Sequence, residues 1–342
     1  MYSGYVDLDN TTKKIHYLLV ESQNDPANDP LVVWFNGGPG CSSMLGWMQE
    51  HGPNSYPNGG NAWVKNEYSW NKEANVLYIE QPAGVGFSMC DWDNHPEDCT
   101  FDDNSMAKDN LEAILKWYQK YPEYEQHELY ISGESYGGIY VPFTAHQIYL
   151  HNEAARDDPS AFKPNLQGFL VGNGCTNWKV DTTPAYLEMG FWHSLYDTAT
   201  YDSMKALGCD YSMGAKSTEI CDTLIEKFNN DTAQVNVYDI FGHCYTDTEG
   251  TKPGDVGVSV VNGKIKTYKK VFTPEDYTPW AFTHKKKSAN LKETPPCVMG
   301  KPLIEYMNRQ DVRQALHIPD DIHAWDMCNS DTFRYSTLPR GS

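Results

Sequence analysis

With 342 residues and 40% hydrophobic content, the chain can bury a full core as one large domain or two ordinary ones. A formal net charge of −19 argues against nucleic acid and anionic membrane as partners, because both repel an acidic surface. No apolar run reaches membrane-spanning length.

The start Met1-Tyr2-Ser3-Gly4 has no basic region followed by an apolar stretch, so the expectation is a cytosolic protein or one whose leader has been removed. Nine cysteines and two glycosylation sequons, at Asn10 and Asn230, favour the secretory route. Cys90 and Cys99 bracket an acidic loop, and Cys209 and Cys221 bracket a polar stretch. Neither pair has Cys-x-x-Cys spacing, so no metal is expected. The odd count leaves at least one thiol without a partner inside the chain.

In chain order, the first strand is Leu31-Val32-Val33-Trp34-Phe35, a continuous apolar run of the kind that forms buried parallel strands. Asn36-Gly37-Gly38-Pro39-Gly40 follows at once, and its glycines let backbone N–H groups approach a ligand, as an oxyanion-binding loop requires. There is no Lys after the last glycine and no Gly-x-Gly-x-x-Gly opening a helix. Neither a Walker loop nor a dinucleotide loop therefore fits, and no cofactor is expected. Val76-Leu77-Tyr78-Ile79 is the next strand. Met106, Leu111, Ile114, Leu115 and Tyr118 then recur at helical spacing over residues 105–121, behind Asn104 as a cap.

Leu129-Tyr130-Ile131 forms the third strand and runs into Gly133-Glu134-Ser135-Tyr136-Gly137, which opens the helical run Ile139-Tyr140-Val141. A serine on such a strand-to-helix turn presents its hydroxyl outside the sheet, and the N–H of the next residue faces an attacked carbonyl. The two glycines leave room for a strained backbone. The hydroxyl is a poor nucleophile without a histidine beside it. Phe169-Leu170-Val171 reads as a fourth buried strand. This is βαβ grammar with a parallel sheet.

From 178 to 296 the strand–helix alternation stops, and an inserted cap subdomain over the site is expected there. Residues 1–177 then form the core and 297–342 return towards it. Lys285-Lys286-Lys287 reads as a solvated loop, with a protease-sensitive loop as the sharper alternative. Helical spacing reappears over residues 311–317.

Four blocks carry a specific resemblance: Trp34 to Ser43, Glu50-His51-Gly52-Pro53, Ser69-Trp70-Asn71 running into Glu80 to Ser88, and the Ser135 turn. With Ser3-Gly4-Tyr5 before them and Gly172-Asn173-Gly174 after, the chain resembles the serine carboxypeptidase family over essentially its whole length. The resemblance implies an α/β-hydrolase fold with an inserted cap and the removal of C-terminal amino acids from peptides and proteins at acidic pH. It implies Ser135 as nucleophile, with the N–H groups of Gly38 and Tyr136 as the oxyanion hole. Asn36, Glu50 and Glu134 fall where the family holds the substrate's terminal carboxylate, with Gly37 lending an N–H and Trp34 packed beside them. It also implies Cys41 paired with Cys328, makes bridges of Cys244 with Cys297 and Cys209 with Cys221 plausible, and leaves Cys175 as the odd thiol. A lysosomal, vacuolar or secreted location and a homodimer are compatible with it.

The chain departs from the family in one respect. The family's Gly-Asp-x-Asp and Gly-x-Gly-His motifs, which carry the catalytic Asp and His, are not found in it. After Ser135 the histidines are His146, His151, His193, His243, His284, His317 and His323, none in a matching context. The expectation is that Asp and His lie on a second chain or on a C-terminal segment lost from a shortened chain, since Leu338-Pro339-Arg340-Gly341-Ser342 resembles a protease-tag remnant. A pseudoenzyme is the third option, and it would leave the sheet with an exposed apolar edge. Acyl transfer from an ester donor, and a non-catalytic protective or binding role, are the competing functions.

Overall fold

The chain begins as a hairpin of β1 (Tyr2–Asp7) and β2 (Lys14–Val20), with Asn10 exposed in the turn at a φ of 57°. β3 (Leu31–Phe35) follows, then the short pair β4 (Asn54–Ser55) and β5 (Val64–Lys65), and β6 (Asn75–Ile79). Next come α1 (Asp103–Lys120), β7 (Leu129–Glu134), α2 (Gly137–Ala154) and β8 (Leu166–Gly172). The computed structural model describes residues 1–56, 62–212, 214–233, 235–241, 256–261, 264–269 and 300–329.

Six strands form one sheet in the order β1-β2-β6-β3-β7-β8. β1, β2 and β6 pair antiparallel, whereas β6, β3, β7 and β8 run parallel. β3 and β6 are buried along their whole length, as their unbroken apolar runs require in a sheet covered on both faces. α1 packs on α2, and α2 lies over β3, β7 and β8.

Two sequence expectations change here. α1 starts at Asp103, and its cap is Asp102, whose carboxylate accepts from the N–H groups of Asn104 and Ser105, while Ser105 Oγ accepts from Asp102 N at 2.9 Å. Asn104 does not cap the helix: it lies inside the first turn, and its N–H is one of the groups being capped. β8 is a strand, but not a buried one. It is the last strand in the sheet order, and Phe169 and Leu170 are 55% and 49% exposed, because an apolar run is buried only where neighbours cover it.

The described residues divide into two compact units, Met1–Cys175 with Pro302–Ser342, and Thr176–Lys301. The second contains α3 (Thr183–Trp192), α4 (Thr198–Ala206), α5 (Glu219–Thr232) and the hairpin of β9 (Val256–Val261) and β10 (Lys264–Lys269). Its core gathers Leu187, Tyr196 and Met204 around the fully buried Phe228. Asn230 is exposed on α5, two residues before the buried Thr232.

In the first unit α6 (Lys301–Met307) and α7 (Gln310–Ala315) lead to an extended stretch with Trp325 and Met327 fully buried. Disulfides join Cys41 to Cys328, Cys90 to Cys99 and Cys209 to Cys221, and Cys175 belongs to none of these three. Cys244, Cys297, Lys285-Lys286-Lys287 and the Leu338 to Ser342 stretch lie outside the described residues.

The capping geometry gives a stability test. Asp102→Ala is expected to cost about 1 kcal/mol. In thermal unfolding that corresponds to a fall of roughly 2–4 °C in the midpoint. Asn104→Ala should leave the midpoint unchanged within error.

Candidate active site

β3 and β7 are neighbours in register, Phe35 opposite Gly133, so the residues that follow them, Asn36 and Glu134, emerge side by side at the same end of the sheet. Ser135 comes next, at a φ of 56° that non-glycine residues rarely adopt. Hydrogen bonds hold the strained turn on both sides, from Ser135 N to Gly172 O at 3.0 Å and from Cys175 N to Ser135 O at 2.7 Å. Of the turn's two glycines, only the first is required by space. A side-chain carbon on Gly133 would sit 2.5 Å from Phe35 O, whereas one on Gly137 would meet nothing closer than 3.6 Å.

The glycine-rich loop after β3 presses directly against this turn. A side-chain carbon on Gly37 would lie 2.6 Å from Tyr136 N and 2.7 Å from Ser135 Cβ, so no other residue permits the approach. Gly38 follows at a φ of 122°, and Gly40 N donates to the buried Tyr140 hydroxyl on α2 at 2.9 Å. Ser43 Oγ donates to Ile79 O at 2.6 Å, and Cys41 is bridged to Cys328. Gly38, Tyr136 and Ser135, the candidate oxyanion-hole and nucleophile residues, thus belong to two segments packed in contact.

Asn36 connects the remaining candidates. Its Oδ1 accepts from Trp34 Nε1 at 2.8 Å and from Gly46 N at 2.9 Å, which fixes the amide orientation. Its Nδ2 consequently faces two carboxyls, and donates to Glu50 Oε1 at 3.1 Å and to Glu134 Oε1 at 2.9 Å. Glu50 ends a single wide helical turn, Gly46–Glu50, and Glu134 ends β7. The two carboxyls thus meet at one amide group, where they would repel each other if both were ionised. Dense surrounding protein raises the pKa of both, and the charge on Glu134 raises Glu50 further. Glu50 is exposed and Glu134 half-buried, so the pair opens to solvent on the Glu50 side.

An aromatic stack supports Trp34. His51 lies at 4.2 Å from it edge-on, stacks on Trp70 at 4.3 Å, and shares a 3.0 Å hydrogen bond with the Tyr78 hydroxyl. Burial pushes the His51 pKa down to about 3, so this imidazole is neutral and offers the carboxyls no positive charge. His51, Trp70, Tyr78 and Gly46 stand in or near the sequence blocks quoted above, but no spacing rule identified them as supports for Asn36. Their stacking is a tertiary contact between separate loops.

No described residue hydrogen-bonds the Ser135 hydroxyl. The described histidines after it are engaged elsewhere: His151 with Phe162 O, His193 with Met189 O, His323 with Gly86 O, and His146 stacked on Tyr149. His317 lies two residues past the end of α7 at a φ of 54°, and His243 and His284 lie outside the described residues. A cavity of about 200 Å³ lies in the second unit and contains none of the candidate residues. Its lining tyrosines, Tyr196, Tyr201 and Tyr211, already donate their hydroxyls to Leu187 O, Glu188 and Cys221 O, so it reads as imperfect packing. Among the described residues no group of histidines, cysteines and carboxylates could hold a metal ion.

Comparison with known proteins bears on this geometry. The family model described as serine carboxypeptidase matches residues 1–339. The lysosomal protective protein of Mus musculus is 35% identical over 337 residues, covering 96% of this chain and 66% of that protein. The serine carboxypeptidase ctsa-4.1 of Caenorhabditis elegans is 32% identical over 339 residues, covering 96% of this chain and 65% of that protein. The chain therefore spans about two thirds of the length of these relatives. The crystal structure of KEX1(delta)P, a prohormone-processing carboxypeptidase from Saccharomyces cerevisiae, covers 96% of this chain and 66% of its own, with a TM-score of 0.65 at 21% identity. That likeness establishes the α/β-hydrolase fold.

The carboxyl pair has a measurable consequence for stability. A raised pKa means that the folded state keeps a proton which the unfolded state releases near the ordinary glutamate value of about 4.3. Stability is therefore full below that value and declines as pH rises towards the raised ionisation of the pair. Thermal midpoints measured from acidic to mildly alkaline pH should fall more steeply for the native chain than for Glu50→Gln.

Proposed function

The chain belongs to the serine carboxypeptidase family, and on that footing we propose that it removes C-terminal residues from peptides at acidic pH through an acyl-enzyme on Ser135. The observation that carries this reading is the amide of Asn36 holding Glu50 and Glu134 together, one residue from Ser135. A peptide's C-terminal carboxylate is an anion, and two ionised glutamates would repel it. A pair that retains one proton instead offers an O–H donor beside the Asn36 amide, and Gly37 N–H is adjacent. Glu134 precedes Ser135 directly, so a carboxylate bound there sets the last peptide bond over the serine and leaves no room for an internal bond.

In the proposed reaction Ser135 Oγ attacks the last peptide carbonyl and its proton passes to a histidine. The N–H groups of Gly38 and Tyr136 stabilise the oxyanion, and the departing amino acid takes the proton on its amine. Water then releases the shortened peptide by the reverse proton path. We assign the Asp and His of this reaction to polypeptide outside these 342 residues. His151, His193 and His323 have other partners, and the exposed apolar residues of β8 suit further parallel strands. Three disulfides support a secretory-pathway location.

The test compares a blocked dipeptide with its C-terminal amide in the protein from its native source. Dipeptide hydrolysis should fall as pH rises through the raised ionisation of the carboxyl pair, whereas cleavage of the amide, slow throughout, should fall less. An organophosphonate should label Ser135. Superimposable pH profiles, or no labelling, would contradict the reading.

A further inference from the structure

The first unit contains a second pair of ionisable groups that the proposed reaction leaves unused. His16 and Glu80 are fully buried, with Nδ1 and Oε2 2.8 Å apart. Glu80 Oε1 accepts from the Ser42 hydroxyl and, at 2.8 Å, from Trp325 Nε1. Its Oε2 also accepts from Phe87 N at 2.8 Å. On the far side of the imidazole, Ser3 Oγ lies 2.9 Å from His16 Nε2 and donates its own proton to Leu316 O at 2.7 Å. Ser3 can therefore only accept from the imidazole, which places a proton on Nε2.

Burying such a couple is poor value as stabilisation, because desolvation offsets most of the attraction; its use must lie in the geometry it specifies. What Glu80 holds is the glycine-rich loop. Ser42 is its continuation, with its N–H donating to Met327 O at 2.8 Å and its hydroxyl directed at Glu80. Met44 N in turn donates to Ser42 Oγ at 3.1 Å. The loop therefore has a buried anchor at Ser42 in addition to the contact of Gly37 with the nucleophile turn.

We propose that Glu80, oriented by His16, is a positioning residue for the oxyanion hole. Through the Ser42 hydroxyl it fixes the loop so that Gly38 N–H points where the oxyanion develops. This rests on the serine-hydrolase reading and extends it to a group that touches no substrate. It separates two functions in one loop: Asn36 reads the substrate's carboxylate, whereas Ser42 sets the backbone that stabilises the transition state. A change at Ser42 should therefore lower kcat for every acyl substrate and leave KM alone.

The experiment uses Ser42→Ala and Trp325→Phe in the catalytically competent protein. Each removes one donor to the same Glu80 oxygen, and although the indole also donates to Ser42 Oγ at 3.2 Å, in Trp325→Phe the Ser42 hydroxyl keeps its own bond to Glu80, so loss of stability alone would affect both in the same way. Ser42→Ala should lower kcat about tenfold on both a blocked dipeptide and an ester, with KM unchanged. Trp325→Phe should lower the thermal midpoint and keep kcat within about twofold. Should Ser42→Ala fail to fold, Ser42→Cys, which keeps the size and weakens the donor, is expected to show the same split. Unchanged kcat at Ser42, or a loss confined to the dipeptide, would overturn the inference while phosphonate labelling of the native protein upholds the hydrolase reading. Absence of labelling in the native protein overturns both.

Discussion

A side-chain amide with no freedom to turn organises this protein's candidate site. Trp34 Nε1 and Gly46 N both donate to Asn36 Oδ1, and the NH2 group donates to the two carboxyls. Glu50 and Glu134 come from separate parts of the chain and would repel each other if both were ionised. Held together by one amide, they are stable when they share a proton. The neutral His51 behind Trp34 follows the same logic, because a cation there would favour ionisation of both carboxyls and abolish the donor.

The sheet determines why these groups meet at all. β3 and β7 are parallel neighbours, so their C-terminal ends open on the same side, and the register Phe35 opposite Gly133 puts Asn36 next to Glu134. The nucleophile turn and the glycine-rich loop are the continuations of those two strands. Their contact through Gly37 follows from the topology, and the Cys41–Cys328 bridge and the Ser42–Glu80 bond hold the loop as well. Ligand sites at the carboxyl ends of adjacent parallel strands are a general property of open α/β sheets.

Much of this was legible in the sequence because it is local. Leu31 to Phe35 can only be a buried strand, and a serine between two glycines after an apolar run marks a strand-to-helix turn. Glu50 and Glu134 were reached through family resemblance, since no spacing rule joins residues so far apart. Other features escaped. Asp102 and Asn104 are both good caps, and only the backbone decides which residue lies outside the first turn. Phe169-Leu170 has a buried strand's composition, yet burial depends on neighbours that a local pattern does not contain. The supports for Asn36, and the His16–Glu80 couple, join residues by tertiary contacts that leave no periodic trace.

The most direct test of the account is infrared difference spectroscopy of the carboxyl groups with 13C-labelled glutamate, at a pH above about 6 where ordinary glutamates are ionised. A shared proton predicts the C=O stretch of a protonated glutamic acid, which in Glu134→Gln is lost at a lower pH than in the native protein, because Glu50 keeps its surroundings but loses its charged neighbour. Absence of that band in the native protein, or its persistence unchanged in Glu134→Gln, would contradict the account.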